Sequence, residues 1–143
     1  MPATAPDIAR RAFLAALAAP LFAGTEQDVL DLFTALASAL SEGNGLAFLD
    51  RVDHSMTDYE KIERNILALV AQNELVAAID VIEDEGDEQT RAVQLDWLLQ
   101  IRSREETGNL VRRREIVKCR LERMKKKWKV ASLDPISFFA PPS

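Results

Sequence analysis

Between Glu26 and Ser41 apolar residues recur at Val29, Phe33, Leu36 and Leu40, with Leu30 and Ala37 beside them. That spacing lays one buried stripe along a helix. Thr25 stands where the N-cap belongs, and Glu26 and Asp28 favour the positive end of the helix dipole. "EGNG", Glu42 to Gly45, holds residues that tolerate left-handed backbone and predicts the stop. A short helical piece is expected over Leu46 to Val52. Thr57 and Glu60 have the spacing of a capping box, and Tyr59, Ile62, Ile66, Leu69 and Val70 then share one face of a further helix ending at Asn73.

Beyond Asn73 the period changes from that of a helix to that of a strand. Val93, Leu95, Trp97, Leu99 and Ile101 fall on one face of an extended segment, with Gln94, Asp96 and Gln100 on the other. Arg114 to Arg123 alternates likewise, Val117, Cys119 and Leu121 opposing Lys118, Arg120 and Glu122. Trp128 to Leu133 is a third strand, and Leu75 to Glu83 a fourth with weaker alternation. The links "DEGDEQ", "EETGN" and "MKKK" are short and polar, which suits antiparallel hairpins. Helices grouped before such strands define an α+β domain, and strands this long must twist and curl into a concave sheet.

Composition narrows the classes. The 143 residues are 48% hydrophobic and 29% charged, ordinary for one globular domain. One cysteine excludes an intrachain disulfide and a cysteine metal cluster, and one histidine excludes a multi-histidine site, so no metal and no cofactor is expected. The net charge of −5 hides a segregation. From Arg102 to Lys129 twelve Lys or Arg stand against four Glu, whereas the rest of the chain carries six basic and nineteen acidic residues. Such a segment reads either as a nucleic-acid footprint or as a solvated β-face facing acidic neighbours. The acidic balance elsewhere favours the second, so no nucleic acid is expected as a partner.

The stretch Ala9 to Gly24, "ARRAFLAALAAPLFAG", has the parts of an export signal: Arg10 and Arg11, an apolar run from Ala12 to Ala23, and small residues at Ala23 and Gly24. "RRAFL" resembles a twin-arginine signal. The expected location is the bacterial periplasm or outside the cell, with residues 1–24 as the signal and 25–143 as the domain; the alternative is an additional N-terminal helix on a cytoplasmic protein. The apolar run is about half of the roughly 20 residues a bilayer span needs, so no stable membrane anchor is expected.

The order of elements resembles the nuclear transport factor 2-like family, also called the cystatin-like or cone-shaped α+β fold. The resemblance runs from about Thr25 to Pro141. It rests on the long first helix, a short piece ending in "FLDRVDHSM", a helix beginning "YEKIERNI", the long hairpin strands and the closing "WKVASLDPISFF". Members include ketosteroid isomerase, scytalone dehydratase, SnoaL-type polyketide cyclases, and many pocket or dimerisation domains with no chemistry. The resemblance implies pairing into a homodimer through the sheet. In the isomerases the catalytic base follows the short second helix, where this chain offers Asp50, Asp53 and His54, with Asp53 the closest positional match. The first helix, which in those enzymes carries a tyrosine donor, has no tyrosine here.

Two functions follow. One is a non-catalytic module that binds a small apolar ligand or a protein partner, with Trp97, Trp128 and Asp50 as ligand-binding candidates. The other is a cofactor-independent isomerase or lyase with Asp53 or His54 as base and Tyr59 as donor. Each residue also has a plainer reading. His54 is a loop histidine near the helix start, Tyr59 is packed core with its oxygen at the rim, and Trp97 and Trp128 either wall a cavity or fill it. Asp96 pairs with an arginine of a neighbouring strand, Cys119 is a small buried hydrophobe, Asp134 is a turn residue ending the last strand, and Phe138 and Phe139 tuck against the body.

Overall fold

The structure, a computed structural model, describes residues 23–105 and 107–142. Residues 1–22, which hold the twin-arginine-like stretch, lie outside the described part. Helix α1 (Ala23–Ser41) buries Val29, Phe33, Leu36 and Leu40 of the predicted stripe together with Leu32 and Ala39, while Leu30 beside it is exposed. Thr25 is buried inside this helix and is not its N-cap, because the helix already runs at Ala23. "EGNG" acts at both ends of a corner. Gly43 takes φ +71° and donates to the Leu40 carbonyl, while Asn44 Oδ1 accepts from Ala47 N at 3.0 Å and caps α2 (Gly45–Leu49).

Helix α2 is shorter than expected because residues 51–53 leave it to pair with a strand. Asp53 N donates to the Val130 carbonyl at 2.8 Å and Val130 N to the Arg51 carbonyl at 2.9 Å. Helix α3 (Tyr59–Gln72) buries Ile62, Ile66 and Leu69. The Thr57–Glu60 capping box does not form. Asp58 is the N-cap, without a side-chain capping bond, and backbone turns from Met56 and Tyr59 N–H to the Asp53 and Met56 carbonyls set the entry. At the other end buried Asn73 donates Nδ2 to the Leu69 carbonyl at 3.1 Å, and the chain enters the sheet with no loop.

Strands β1 (Asn73–Gly86), β2 (Thr90–Ser103), β3 (Leu110–Met124) and β4 (Lys127–Asp134) form one antiparallel sheet in chain order. Each outruns its alternating segment, because hairpin ends are held by ladder bonds whatever their side chains. The register stacks Ile79, Trp97 and Glu115 across one face and Asp80, Asp96 and Ile116 across the other. The carboxylates of Asp80 and Asp96 thus stand opposite one another, a repulsive pair. Arg114 relieves it by gripping Asp96 with Nε at 3.0 Å and Nη2 at 2.7 Å, the cross-strand pairing expected for Asp96.

Each edge strand is met at one point from outside the sheet. On β1 the Ala77 amide donates to Ser41 Oγ of α1 at 3.0 Å, and β4 is flanked by residues 51–53. At the β1–β2 hairpin Gly86 adopts φ +146°, and a Cβ there would lie 2.2 Å from the Thr90 carbonyl oxygen, so only glycine fits. Buried Arg91 ties this turn together through Asp84 at 2.6 Å and the Asp87 carbonyl at 3.0 Å.

The concave face receives Val93, Leu95, Trp97, Leu99 and Ile101 from β2, with Val117, Cys119 and Leu121 from β3. Cys119 is a buried hydrophobe whose thiol is pushed up by burial. Asp134 ends β4 as expected, a cis bond to Pro135 follows, and a 3-10 turn (Ile136–Phe139) delivers two phenylalanines beneath the helices. Trp97 meets Phe139 edge-on at 4.9 Å between ring centroids and Phe138 at 6.1 Å, with Phe48 of α2 at 6.5 Å. Arg113 Nη1 donates to the Phe138 carbonyl at 2.8 Å and pins the turn.

Phe139→Ala should cost about 3–5 kcal/mol in urea unfolding, the range for truncating a buried aromatic. Leu46→Ala, at a position 74% exposed, should stay within about 0.5 kcal/mol. Arg114 holds the Asp96 carboxyl below its ordinary 3.8, chiefly through their hydrogen bonds. A depressed carboxylate adds stability above its unfolded pKa and loses it as pH falls through the folded value. In Arg114→Gln the Asp96 titration followed by NMR should move back up, and the fall in stability below about pH 4 should become shallower.

Candidate functional site

The interior of the cone is packed. Trp97, Phe48, Phe138 and Phe139 are buried to 1% exposure or less and occupy the space between helices and sheet. Of the two outcomes for Trp97, walling a cavity or filling it, the structure has the second. Among the described residues its buried indole N–H has no acceptor, nor has that of Trp128.

Asp53, His54 and Tyr59 gather at the rim, in the loop between α2 and α3 and at the first residue of α3. The Asp53 carboxylate accepts from Ser55 N at 2.9 Å and Ser55 Oγ at 2.7 Å, a local turn in which the acid serves its own loop. His54 Nε2 lies 3.1 Å from the Leu49 carbonyl, so that nitrogen carries the proton and donates. Its exposed ring packs against Tyr59 at 4.4 Å between centroids, the planes tilted by 36°. The Tyr59 hydroxyl donates to Glu63 Oε2 at 3.4 Å, and partial burial followed by the Glu63 charge raises its pKa. His54 and Tyr59 are therefore in contact, while the Asp53 carboxylate is engaged with Ser55. A base for enolisation needs a free carboxylate above an apolar pocket. Here the apolar space belongs to Trp97 and the two phenylalanines.

Asp50 and Trp128 meet elsewhere, in a groove of about 360 Å³ between α1, the end of α2 and the β3–β4 hairpin. Its floor includes buried Leu32 and Trp128. Asp28, Asp31 and Asp50 supply carboxylates; Arg51, Lys126, Lys127 and Lys129 supply cations. Lys129 Nζ donates to the Asp50 carbonyl. Sequence reading missed most of this groove. In sequence Asp28 serves the helix dipole and "MKKK" marks a hairpin link, and nothing in the chain order signals that α1 and this hairpin meet.

The outer face of the sheet is the other chemically distinct surface. Glu74, Asp80, Glu83 and Glu85 alternate outward along β1, and Arg112, Arg114, Lys118 and Arg120 along β3. The basic segment of the sequence thus becomes one stripe of a sheet whose next strand but one is acidic. Val76, Leu110 and Ile116 lie among these charges with 57%, 45% and 48% exposure. Among the described residues no cluster of three or more His, Cys, Asp or Glu is placed to hold a metal ion, and no helix is long and apolar enough to cross a membrane.

No protein-family model matches the chain, and no curated protein matches it. Solved structures do. A conserved protein from Planctomyces limnophilus superposes with a TM-score of 0.70 at 9% identity, over 77% of this chain and 93% of its own. A nuclear transport factor 2-like superfamily protein from Salmonella enterica serovar Typhimurium gives 0.65 at 7% identity, over 78% and 89%. A protein of unknown function with a cystatin-like fold from Nostoc punctiforme gives 0.58 at 14% identity, over 80% and 95%. With helices packed on a curved four-stranded antiparallel sheet, the chain has the nuclear transport factor 2-like, cystatin-like α+β fold.

Proposed function

We propose that this chain is a non-catalytic interaction module that pairs with a second copy of itself through the outer face of the sheet. The observation that carries this reading is the division of charge on that face, acidic on β1 and basic on β3, with Val76, Leu110 and Ile116 exposed between and beside them. Two sheets facing one another are related by a twofold axis lying between them. An axis along β2 sets β1 of each copy over β3 of the other, acid over base. An axis across the strands sets β1 over β1 and opposes like charges. The surface is therefore self-complementary in one orientation only, and the exposed apolar side chains supply the contact area.

The alternative, an isomerase or lyase of the ketosteroid isomerase or polyketide cyclase kind, relies on Asp53 or His54 as base with Tyr59 as donor. It has less support, because Asp53 is engaged by Ser55 and the interior a substrate would need is occupied by Trp97, Phe138 and Phe139. The same packing weakens the case for a small apolar ligand inside the cone. We place the module outside the cytoplasm on the strength of the twin-arginine-like stretch Ala9 to Gly24.

Light scattering on the eluting protein should give twice the chain mass, and Ile116→Glu should give a monomer of unchanged fold. Reversing the base pair Lys118 and Arg120 to Glu, or the acid pair Glu83 and Glu85 to Lys, should each weaken association. Combining all four should restore it; a monomeric wild type, or a combination no better than its parts, would refute the pairing. Fractionation of cells expressing the full chain should find it outside the cytoplasm, and Arg10→Lys with Arg11→Lys should retain it inside. Wild-type protein confined to the cytoplasm would overturn the export reading.

A further inference from the structure

We infer that the groove between α1 and the β3–β4 hairpin is a binding site for a small zwitterion, a molecule carrying an ammonium and a carboxylate on a short apolar body. Its volume of about 360 Å³ lies within the roughly 300–1,000 Å³ of small-molecule sites. Its chemistry is two-sided. Asp28 and Asp31, one helical turn apart on α1, and Asp50 at the end of α2 present carboxylates, whereas Arg51, Lys126 and Lys127 present cations. Charges of both signs crowd this groove, yet no carboxylate among them lies within 4 Å of a cation, although ion pairs form elsewhere on the described surface. The two sets flank an open volume, with Asp31 Oδ1 also accepting from Gln27 Nε2 at 2.8 Å, and a ligand with both charges reaches each set at once.

Trp128 contributes to the floor and is almost wholly buried. The hairpin that carries the lysines is also strained. Lys125 and Lys126 both adopt positive φ, 49° and 73°, in a two-residue turn where Asn-Gly is the unstrained choice. Side chains at such positions are retained against a conformational cost, and the cost here keeps a lysine at the groove where the relaxed sequence would have none. An exclusively anionic or cationic ligand would satisfy one set of side chains and be repelled by the other.

The site is tested on the full chain with a ruler of ω-amino carboxylates from glycine to aminooctanoate. Alkyl amines and alkyl carboxylates of matching length serve as single-charge controls. Binding is read from the two tryptophan indole resonances in NMR. One chain length should bind about tenfold or more tightly than either control and move the Trp128 resonance while leaving Trp97 in place. Asp31→Asn and Lys127→Gln should each abolish that advantage. Replacing Lys125→Asn together with Lys126→Gly should raise the thermal midpoint and weaken binding, a split that a merely structural turn would not give. Ile116→Glu should bind the same zwitterion as well as the wild type, so the site stands or falls apart from the pairing of chains. Equal binding of controls and zwitterions, an affinity that does not depend on length, or a double turn variant that binds undiminished would each overturn the proposal.

Discussion

The covering of Trp97 is the constraint on which the rest of this structure depends. An indole at the middle of the longest hairpin pair projects into the concavity of a curling sheet, beneath the helices. The chain fills it with its own end. Phe138 and Phe139 arrive from a turn after β4, meet the indole edge-on, and are held by Arg113 reaching from β3 to the Phe138 carbonyl. Edge-to-face packing of three rings adds to the burial of each. The direction of the tail after Asp134 follows.

Filling the interior moves whatever this protein recognises to its surfaces. In an open cone the loop after α2 would offer a carboxylate to a substrate. In this chain that loop is closed on itself through Asp53 and Ser55, and its backbone is used to flank β4. The same pairing that shortens α2 brings Asp50 and Arg51 beside the β3–β4 hairpin, so the groove with Trp128 is a by-product of meeting a sheet edge. The outer face shows the complementary economy. Its arginines and carboxylates are too far apart across β2 for all of them to pair within one chain, and Arg114 spans the gap only as far as Asp96.

Where local rules are broken, the breaks lie at surfaces. Positive φ at two successive lysines and the absent side-chain cap on α3 occur beside the groove and the rim, whereas the buried stripes obey helix and strand periodicity with little exception. Natural chains depart from local consistency mainly where something other than stability is being kept. The β1–β2 hairpin, by contrast, obeys every local rule: a glycine where a Cβ would strike Thr90, and Asp87 capping two amides.

What the sequence determined by itself was whatever repeats at the period of an element. The stripe of α1, the inward set from Val93 to Ile101, the pairing of Asp96 with an arginine and the tucking of Phe138 and Phe139 all follow from spacing and from the aversion of apolar side chains to water. Termini were less legible, since Thr25 and Thr57 carry capping chemistry at positions where backbone hydrogen bonds set the boundary differently. The tertiary structure alone decided that Trp97 fills rather than lines the cone, because that depends on a tail some forty residues downstream. It also decided that Asp50 and Trp128, far apart in the chain, share a groove with Asp28 and Lys126. Periodicity records which side of an element a residue faces. It does not record which other element comes to stand on that side.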